Sequence, residues 1–259
     1  GGVRRYLLAK HAWLASHAHV EHTLLVPGGR DAADAAGVSH FPAPRIPFGR
    51  GYRFPWRLGD LARRLERLRP DLVEAGDPYQ VGWTAVATAR ALGVPAVVFC
   101  HSDLVGLAAA RLGRGAARAA AAWLRALYGR ADLVLAPSRV VVERLRDAGI
   151  AQAVVQPLGV DAVTFAPERA DPALRSTLGL PSRARLLVFA GRLAPEKNVH
   201  ELGAMVERLG PPYHLLVIGG ARGMRASPRI TFLPYLGEPA RLAACFASAD
   251  ALVHAGRSE

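Results

Sequence analysis

The sequence predicts an α/β protein built as two halves, each a parallel sheet flanked by helices, and three observations carry that expectation. Short apolar runs alternate with longer stretches of helical periodicity along all 259 residues, the pattern of strands covered on both faces and joined by crossover helices. Proline and glycine crowd the middle of the chain, at Pro157, Gly159, Pro167, Pro172 and Pro181. No repeat of short period is present, so the alternation does not come from an array of small units.

Strands are expected at His22–Val26, Leu72–Ala75, Ala96–Cys100, Asp132–Ala136 and Ala153–Gln156 in the first half, and at Leu186–Ala190, His214–Ile218, Ile230–Leu233 and Ala251–His254 in the second. Helices are expected between them at Arg4–Ser16, Asp60–Leu68, Val81–Ala91, Leu107–Tyr128, Arg139–Ala148, His200–Leu209 and Pro239–Ala247. These give two Rossmann-like domains, residues 1–165 and 166–259. Gly1-Gly2 runs directly into a helical pattern, and the chain stops at Glu259 just after a strand and a short turn. Both domains are therefore expected to be incomplete, the first lacking its first strand and the second its C-terminal part.

Composition narrows the setting. Apolar residues make up 51% of the chain, which argues against disorder. The two cysteines, Cys100 and Cys245, are too few and too far apart for a disulfide framework, which points to a reducing cytoplasm. No apolar run approaches the roughly 18–20 residues needed to span a bilayer. The formal charge is +12, carried mostly by arginine, and favours anionic partners: nucleotide phosphates, acidic lipid surfaces or nucleic acid. The alternative is a general enrichment in alanine and arginine with no binding purpose.

The most specific local pattern is Phe189-Ala190-Gly191-Arg192-Leu193-Ala194-Pro195-Glu196-Lys197-Asn198. A buried strand ends at Ala190, Gly191 lets the backbone turn closely, and Arg192 and Lys197 follow before a helix begins. Two cations and helix-terminal N–H groups at the carboxyl end of a sheet can hold a diphosphate; an ordinary surface charge cluster has the same spacing. Gly219-Gly220 closes the strand His214–Ile218 and either lets a ligand approach the backbone or forms a plain turn. Pro137-Ser138 reads as a strand exit with Ser138 capping the next helix.

His101 follows the strand Ala96–Cys100 at a position that can face substrate, with a satisfied loop histidine as the alternative. Cys100 and His101 are adjacent on a strand and point to opposite faces, which argues against a Cys–His nucleophile. His11, His17, His19 and His22 straddle a helix end and a strand start with no cysteine or carboxylate to complete a site, so no metal is expected there. Asp-x-Asp is absent, so charge on a nucleotide diphosphate must be met by Arg and Lys. Arg111, Arg114, Arg118 and Arg125 fall on one face of the helix Leu107–Tyr128, which suits either an acidic membrane surface or solvent. Asp77-Pro78-Tyr79, at a strand's end, suits acceptor contact or a simple loop.

With these residues in place, the sequence resembles the retaining glycosyltransferases of GT-B architecture known as glycosyltransferase family 4, or group 1, over essentially its whole length. Gly191-Arg192-Leu193 with Glu196-Lys197-Asn198 is similar to the family's most specific motif, whose Arg and Lys hold the donor diphosphate. Gly1-Gly2-Val3 resembles its first glycine-rich loop, which approaches the donor phosphate and sugar. Phe99-Cys100-His101-Ser102-Asp103 resembles the segment whose histidine contacts the donor sugar, and Pro157-Leu158-Gly159-Val160-Asp161 the linker element. Asp250–Glu259 looks like the approach to the motif with two glutamates eight positions apart, of which Glu259 would be the first and would contact the donor sugar.

The resemblance implies metal-independent transfer of a hexose, of mannose or glucose type, from a GDP- or UDP-sugar to a glycan or lipid acceptor, with no cofactor. Domain closure would bring the acceptor hydroxyl to the donor. The acceptor would attack from the leaving-group side while the departing phosphate takes its proton. Gly1, Gly2, Gly191, Gly219 and Gly220 would line the donor, Arg192 and Lys197 would stabilise the developing charge, and His101 would position the sugar. The implied setting is the cytoplasm or the inner face of an acidic membrane, with no nucleic-acid partner. The alternatives are a nucleotide-sugar epimerase of the same architecture and a non-catalytic sugar-nucleotide or membrane-binding module.

Overall fold

Ala96-Val97-Val98-Phe99 is apolar at every position and buried at every position, as a strand is when helices cover both faces of its sheet. The computed structural model describes residues 2–17, 19–34, 37–47, 53–194, 197–220 and 227–256. Gly1 and Glu259, and Pro195 and Glu196 of the expected phosphate-holding loop, lie outside the described residues. The chain divides into two units, Gly1–Gly159 and Val160–Glu259.

The first unit holds, in chain order, α1 (Gly2–Ala15), β1 (Leu25–Gly28), β2 (Ala32–Ala33), β3 (Ser39–Pro42), α2 (Leu58–Leu68), β4 (Val73–Ala75), α3 (Gln80–Leu92), β5 (Ala96–Phe99), α4 (Leu104–Tyr128), β6 (Leu133–Ala136), α5 (Arg139–Asp147) and β7 (Ala153–Val155). Strands β4 to β7 form a parallel sheet in sequence order, each crossover helix carrying the chain one strand on. Val86 and Ala89 of α3, Leu124, Leu127 and Tyr128 of α4, and Val142 and Leu145 of α5 bury their side chains with Val98, Val134 and Ala153. Each large apolar side chain so buried contributes roughly 1.5–3 kcal/mol. Two of the crossover helices, α4 and α5, start on side-chain caps: Asp103 accepts from the Gly106 N–H at 2.7 Å, and Ser138 from the Val141 N–H at 3.3 Å, the cap that the sequence places there.

Three features differ from the expectation. The strand expected at His22–Val26 lies at Leu25–Gly28, and it includes Pro27 because β1 is the edge of a small sheet of order β1-β3-β2. Strands β2 and β3 were not expected, since only Phe41 among the residues of β3 is fully buried and no apolar run announces them. The expected single arginine face of Leu107–Tyr128 is corrected: α4 breaks at Gly113, where φ is 82° and ψ −175°. Arg111 precedes the break and Arg114, Arg118 and Arg125 follow it, so helical spacing cannot be counted across the four.

The second unit holds α6 (Leu174–Thr177), β8 (Arg185–Ala190), α7 (Val199–Leu209), β9 (Tyr213–Ile218), β10 (Ile230–Leu233), α8 (Pro239–Ala247) and β11 (Ala251–Leu252). Its parallel sheet has the order β10-β9-β8-β11. Alternate residues face alternate layers: Leu187, Phe189, Leu215 and Val217 pack with Val199, Leu202 and Val206 of α7. Leu186, Val188, Leu216 and Ile218 pack on the other side with Leu236 and Cys245. That two-sided burial is why β8 and β9 read as unbroken apolar runs. Among the described residues no helix is long and apolar enough to cross a membrane.

Asp250 pins β11 to the start of β8. Its N–H donates to the Leu186 carbonyl at 2.8 Å, and its carboxylate accepts from the Leu186 N–H at 2.7 Å, Arg175 at 2.7 Å and Arg185 at 3.1 Å. Burial alone would raise this carboxyl, but those hydrogen bonds and the Arg175 charge outweigh it and hold it below the ordinary carboxylate range. Asp250→Ala leaves the Leu186 N–H without its side-chain acceptor and is expected to destabilise the second unit by about 1–3 kcal/mol near neutral pH. A carboxyl with a depressed folded pKa stabilises above its unfolded value, about 3.9, and stops doing so as pH falls through the lower folded value. Denaturation midpoints are therefore expected to separate wild type from the variant at pH 7 and to converge in strong acid; equal midpoints at pH 7 would remove this pin.

Candidate functional site

The carboxyl ends of β8 and β9 meet through main chain. The Gly191 N–H donates to the Ile218 carbonyl at 2.9 Å, continuing the ladder beyond Ala190. A Cβ on Gly219 would stand 2.0 Å from the Gly191 carbonyl oxygen, and the backbone there has φ of 132°. Only glycine fits both demands. Gly220, with φ of 116°, has open space where its Cβ would be, and both glycine N–H groups donate to the Leu233 carbonyl, at 3.0 and 2.9 Å. Gly219 is thus required by the meeting of two strands, while Gly220 leaves room beside the backbone.

From this junction the loop to α7 carries the two expected cations, Arg192 exposed and Lys197 half-buried. The loop is held by its own backbone: the Ala194 N–H donates to the Arg192 carbonyl and the Lys197 N–H to the Ala194 carbonyl, both at 2.9 Å. Asn198 adopts a left-handed conformation at the N-cap of α7 and makes no side-chain cap there. Its amide instead donates to the Ala255 carbonyl at 3.0 Å, tying the loop to the segment after β11. His254, in that segment, accepts from the Gly256 N–H at 3.0 Å, and its ring centroid lies 6.1 Å from that of Phe189. The second unit therefore brings Gly191, Arg192, Lys197, Gly219 and Gly220 to one end of its sheet. The first turn of α7, which Asn198 leaves without a side-chain cap, adds the amide-rich, positive end of a helix dipole.

In the first unit, His101 stands just beyond β5. Its ring stacks on Phe99 at 4.1 Å with 5° between planes, and Tyr6 of α1 meets it edge-on at 5.4 Å. Gly76, at the end of β4, lies beneath the ring: a Cβ there would be 3.6 Å from Cδ2 and Nε2. Nε2 is buried and, among the described residues, has no hydrogen-bond partner. Burial pushes the imidazole pKa down, the Glu74 carboxylate works against this, and Lys10 adds to it. The result is a neutral ring, clamped by aromatics, with one nitrogen unsatisfied. Such a nitrogen is costly unless a substrate or water uses it.

Tyr6 and Gly76 are neighbours that sequence reasoning did not single out. They come from α1 and β4, remote in the chain from His101, and only the phenol of Tyr6 and the glycine after an apolar run would have hinted at them. Cys100 points to the other face, as the strand alternation predicts, with its thiol pKa raised by burial. Lys10 pairs with Glu74. His11 and His22 share a hydrogen bond between their Nδ1 atoms at 2.7 Å, and His17 stacks on Trp13 at 3.7 Å. Asp77 is drawn into the fold, its Oδ1 accepting from the N–H groups of Tyr79 at 2.8 Å and Gly82 at 3.0 Å. Gly2 begins α1.

The model of Glycosyltransferase Family 4 matches residues 1–163. A GDP-mannose-dependent alpha-mannosyltransferase of Mycolicibacterium smegmatis is 37% identical over 194 residues, 73% of this chain and 51% of that protein. One of the same description from Mycobacterium tuberculosis is 35% identical over 242 residues, 90% of this chain and 63% of that protein. The chain thus spans between half and two thirds of the length of these relatives. Among solved structures, Anabaena Alr3699/HepE in complex with UDP matches with a TM-score of 0.73 at 16% identity, over 100% of this chain and 71% of that one, a likeness of fold. On the family match, this chain is a member of Glycosyltransferase Family 4.

Proposed function

We propose that the protein is a retaining, metal-independent mannosyltransferase that takes GDP-mannose as donor and a glycan or lipid as acceptor. The observation that carries this reading is the glycine junction at the ends of β8 and β9 with Arg192 and Lys197 on the loop that leaves it. Backbone there can approach a diphosphate closely, and two cations stand within the same loop. The description of the two mycobacterial relatives as GDP-mannose-dependent alpha-mannosyltransferases favours GDP over UDP and mannose over glucose.

In the proposed reaction the bond from the sugar's anomeric carbon to the diphosphate oxygen breaks, and the acceptor oxygen bonds to the same face of that carbon. The acceptor's proton passes to the departing diphosphate. Negative charge grows on that diphosphate, and Arg192 and Lys197 stabilise it where it appears, the role a metal fills when an Asp-x-Asp pair holds one. His101, neutral and fixed by Phe99 and Tyr6, offers Nε2 to a sugar hydroxyl and acts as a positioning group. No protein nucleophile is needed, so the two-carboxylate scheme of retaining glycosidases does not apply.

The test is mannosyl transfer from GDP-mannose by the full-length protein. Transfer is expected to persist in chelator and to give the α-linked product; a β-linked product, or abolition by chelator, overturns the corresponding part of the proposal. Arg192→Ala and Lys197→Ala are each expected to lower kcat by roughly 100-fold or more, the scale of losing one donor to developing charge. Undiminished transfer in both variants would remove the phosphate assignment.

A separate expectation concerns pH. Because burial lowers the His101 pKa, the ring protonates only below the ordinary imidazole value near 6.5. The His101-dependent part of kcat/KM is therefore expected to survive through pH 6.5 and to fall only in more acid solution. His101→Ala is expected to lower kcat at least tenfold with little change in donor KM. A wild-type acid limb above pH 6.5 that vanishes in the variant would contradict a buried, neutral His101.

A further inference from the structure

Strands β4 to β7 of the first unit are apolar at every position except one, Glu74. Val73 and Ala75 are buried on either side of it, while the Glu74 side chain turns to the other face and pairs with Lys10 of α1. The glutamate is 21% exposed and the lysine 28%, and among the described residues neither side chain has another hydrogen-bonded partner. Two charges drawn partly out of water carry a desolvation cost, so a pair kept here calls for a reason.

Strand register brings the pair beside His101. Strands β4 and β5 run parallel with Glu74 beside Val97 and Ala75 beside Val98, a register that continues with Gly76 beside Phe99. Glu74 and Gly76 are two positions apart and share a face, as do Phe99 and His101. Gly76 lies beneath the imidazole, its Cβ position 3.6 Å from Nε2, so the carboxylate is rooted one strand repeat away, roughly 6.6 Å. On α1, Tyr6 and Lys10 are one helical turn apart: the phenol ring meets the imidazole and the ammonium meets the carboxylate. Of the side chains of α1 only His11 is fully buried, and its partner is the ring of His22. Apolar packing therefore does little to fix this helix on the sheet.

We propose that Lys10 and Glu74 are a positioning pair for His101: they seat α1, and with it Tyr6, over the imidazole, and Lys10 cancels the charge that Glu74 alone would present to the ring. The inference rests on the reading of His101 as the group that positions the sugar. Facing the ring are Tyr6 and Lys10 from α1 and Glu74 from β4. His11 and His22 stand around the same pair, and His22 feels both of its charges. On the ring's own strand and beyond it, Cys100 turns to the other face, and Asp103 is held by the Gly106 N–H and Arg144. Burial is the largest influence on His101 and lowers its pKa; Glu74 then raises it and Lys10 lowers it, so the two members of the pair oppose each other at the ring. With both present the burial of the ring decides. With one removed, the other acts unopposed.

The test is NMR titration of His101 in the full-length protein, with the pH profile of mannosyl transfer measured alongside. Lys10→Met leaves the carboxylate uncompensated, so His101 is expected to bind a proton about tenfold more tightly and the acid limb of kcat/KM to move up in pH. Glu74→Gln leaves the ammonium uncompensated and is expected to move both in the opposite direction. The double variant Lys10→Met with Glu74→Gln keeps the shape of both side chains and removes both charges; it is expected to titrate close to wild type. Lys10→Arg, which retains the pair, is expected to do the same. A purely structural role gives another pattern: loosening α1 admits water to the ring, and both single variants and the double then protonate more readily. Shifts of one sign in both single variants, or no shift in either, would overturn the inference. The titration needs no donor or acceptor, so the pair's failure appears there, whereas failure of the transferase reading appears as absence of mannosyl transfer with the opposed shifts intact.

Discussion

The carbonyl of Gly191 stands where a side chain on residue 219 would begin, and the carboxyl end of the second unit's sheet depends on that contact. Because residue 219 carries no Cβ, the ends of β8 and β9 close on each other through backbone. Asn198 completes the arrangement by turning its amide away from its own helix and toward the Ala255 carbonyl. An added methyl at residue 219 would have to displace main chain, which cannot swing aside as a long side chain can.

The two units handle charge in opposite ways. At the second sheet, cations stand on an exposed or half-buried loop, where an anion can reach them and where growing charge on a leaving diphosphate would be met. At the first sheet, His101 is sealed against Phe99 and Tyr6, and burial keeps it neutral although Glu74 pulls the other way. In the proposed reaction a neutral ring, its Nε2 without a partner among the described residues, would orient a hydroxyl without adding charge at the sugar. These are complementary demands of glycosyl transfer: stabilise the departing anion, and hold the sugar still.

Much of this was legible in the sequence for a physical reason. Strands covered on both faces must be largely apolar, so the runs at Ala96–Cys100, Leu186–Ala190 and His214–Ile218 announced themselves, as did the helices between them. Ser39–Pro42 did not, because one buried phenylalanine among polar neighbours makes no periodic signal. The break in α4 escaped because spacing arithmetic assumes a continuous helix, and a glycine such as Gly113 can sit inside one or end it; only its φ of 82° decides. The glycine pair at 219–220 was visible as permissive backbone, but that Gly219 answers to Gly191 is a tertiary fact. The same holds for the aromatic clamp on His101, whose parts come from α1, β4 and β5.

The central claim is that the second unit grips the diphosphate itself, and titration calorimetry with GMP and GDP tests it most directly. The two ligands share base and ribose and differ by the phosphate that Arg192 and Lys197 are assigned to hold. Charge-assisted hydrogen bonds at about 1.5–3 kcal/mol each correspond to at least tenfold tighter binding of GDP. Equal affinities for GMP and GDP would contradict the account.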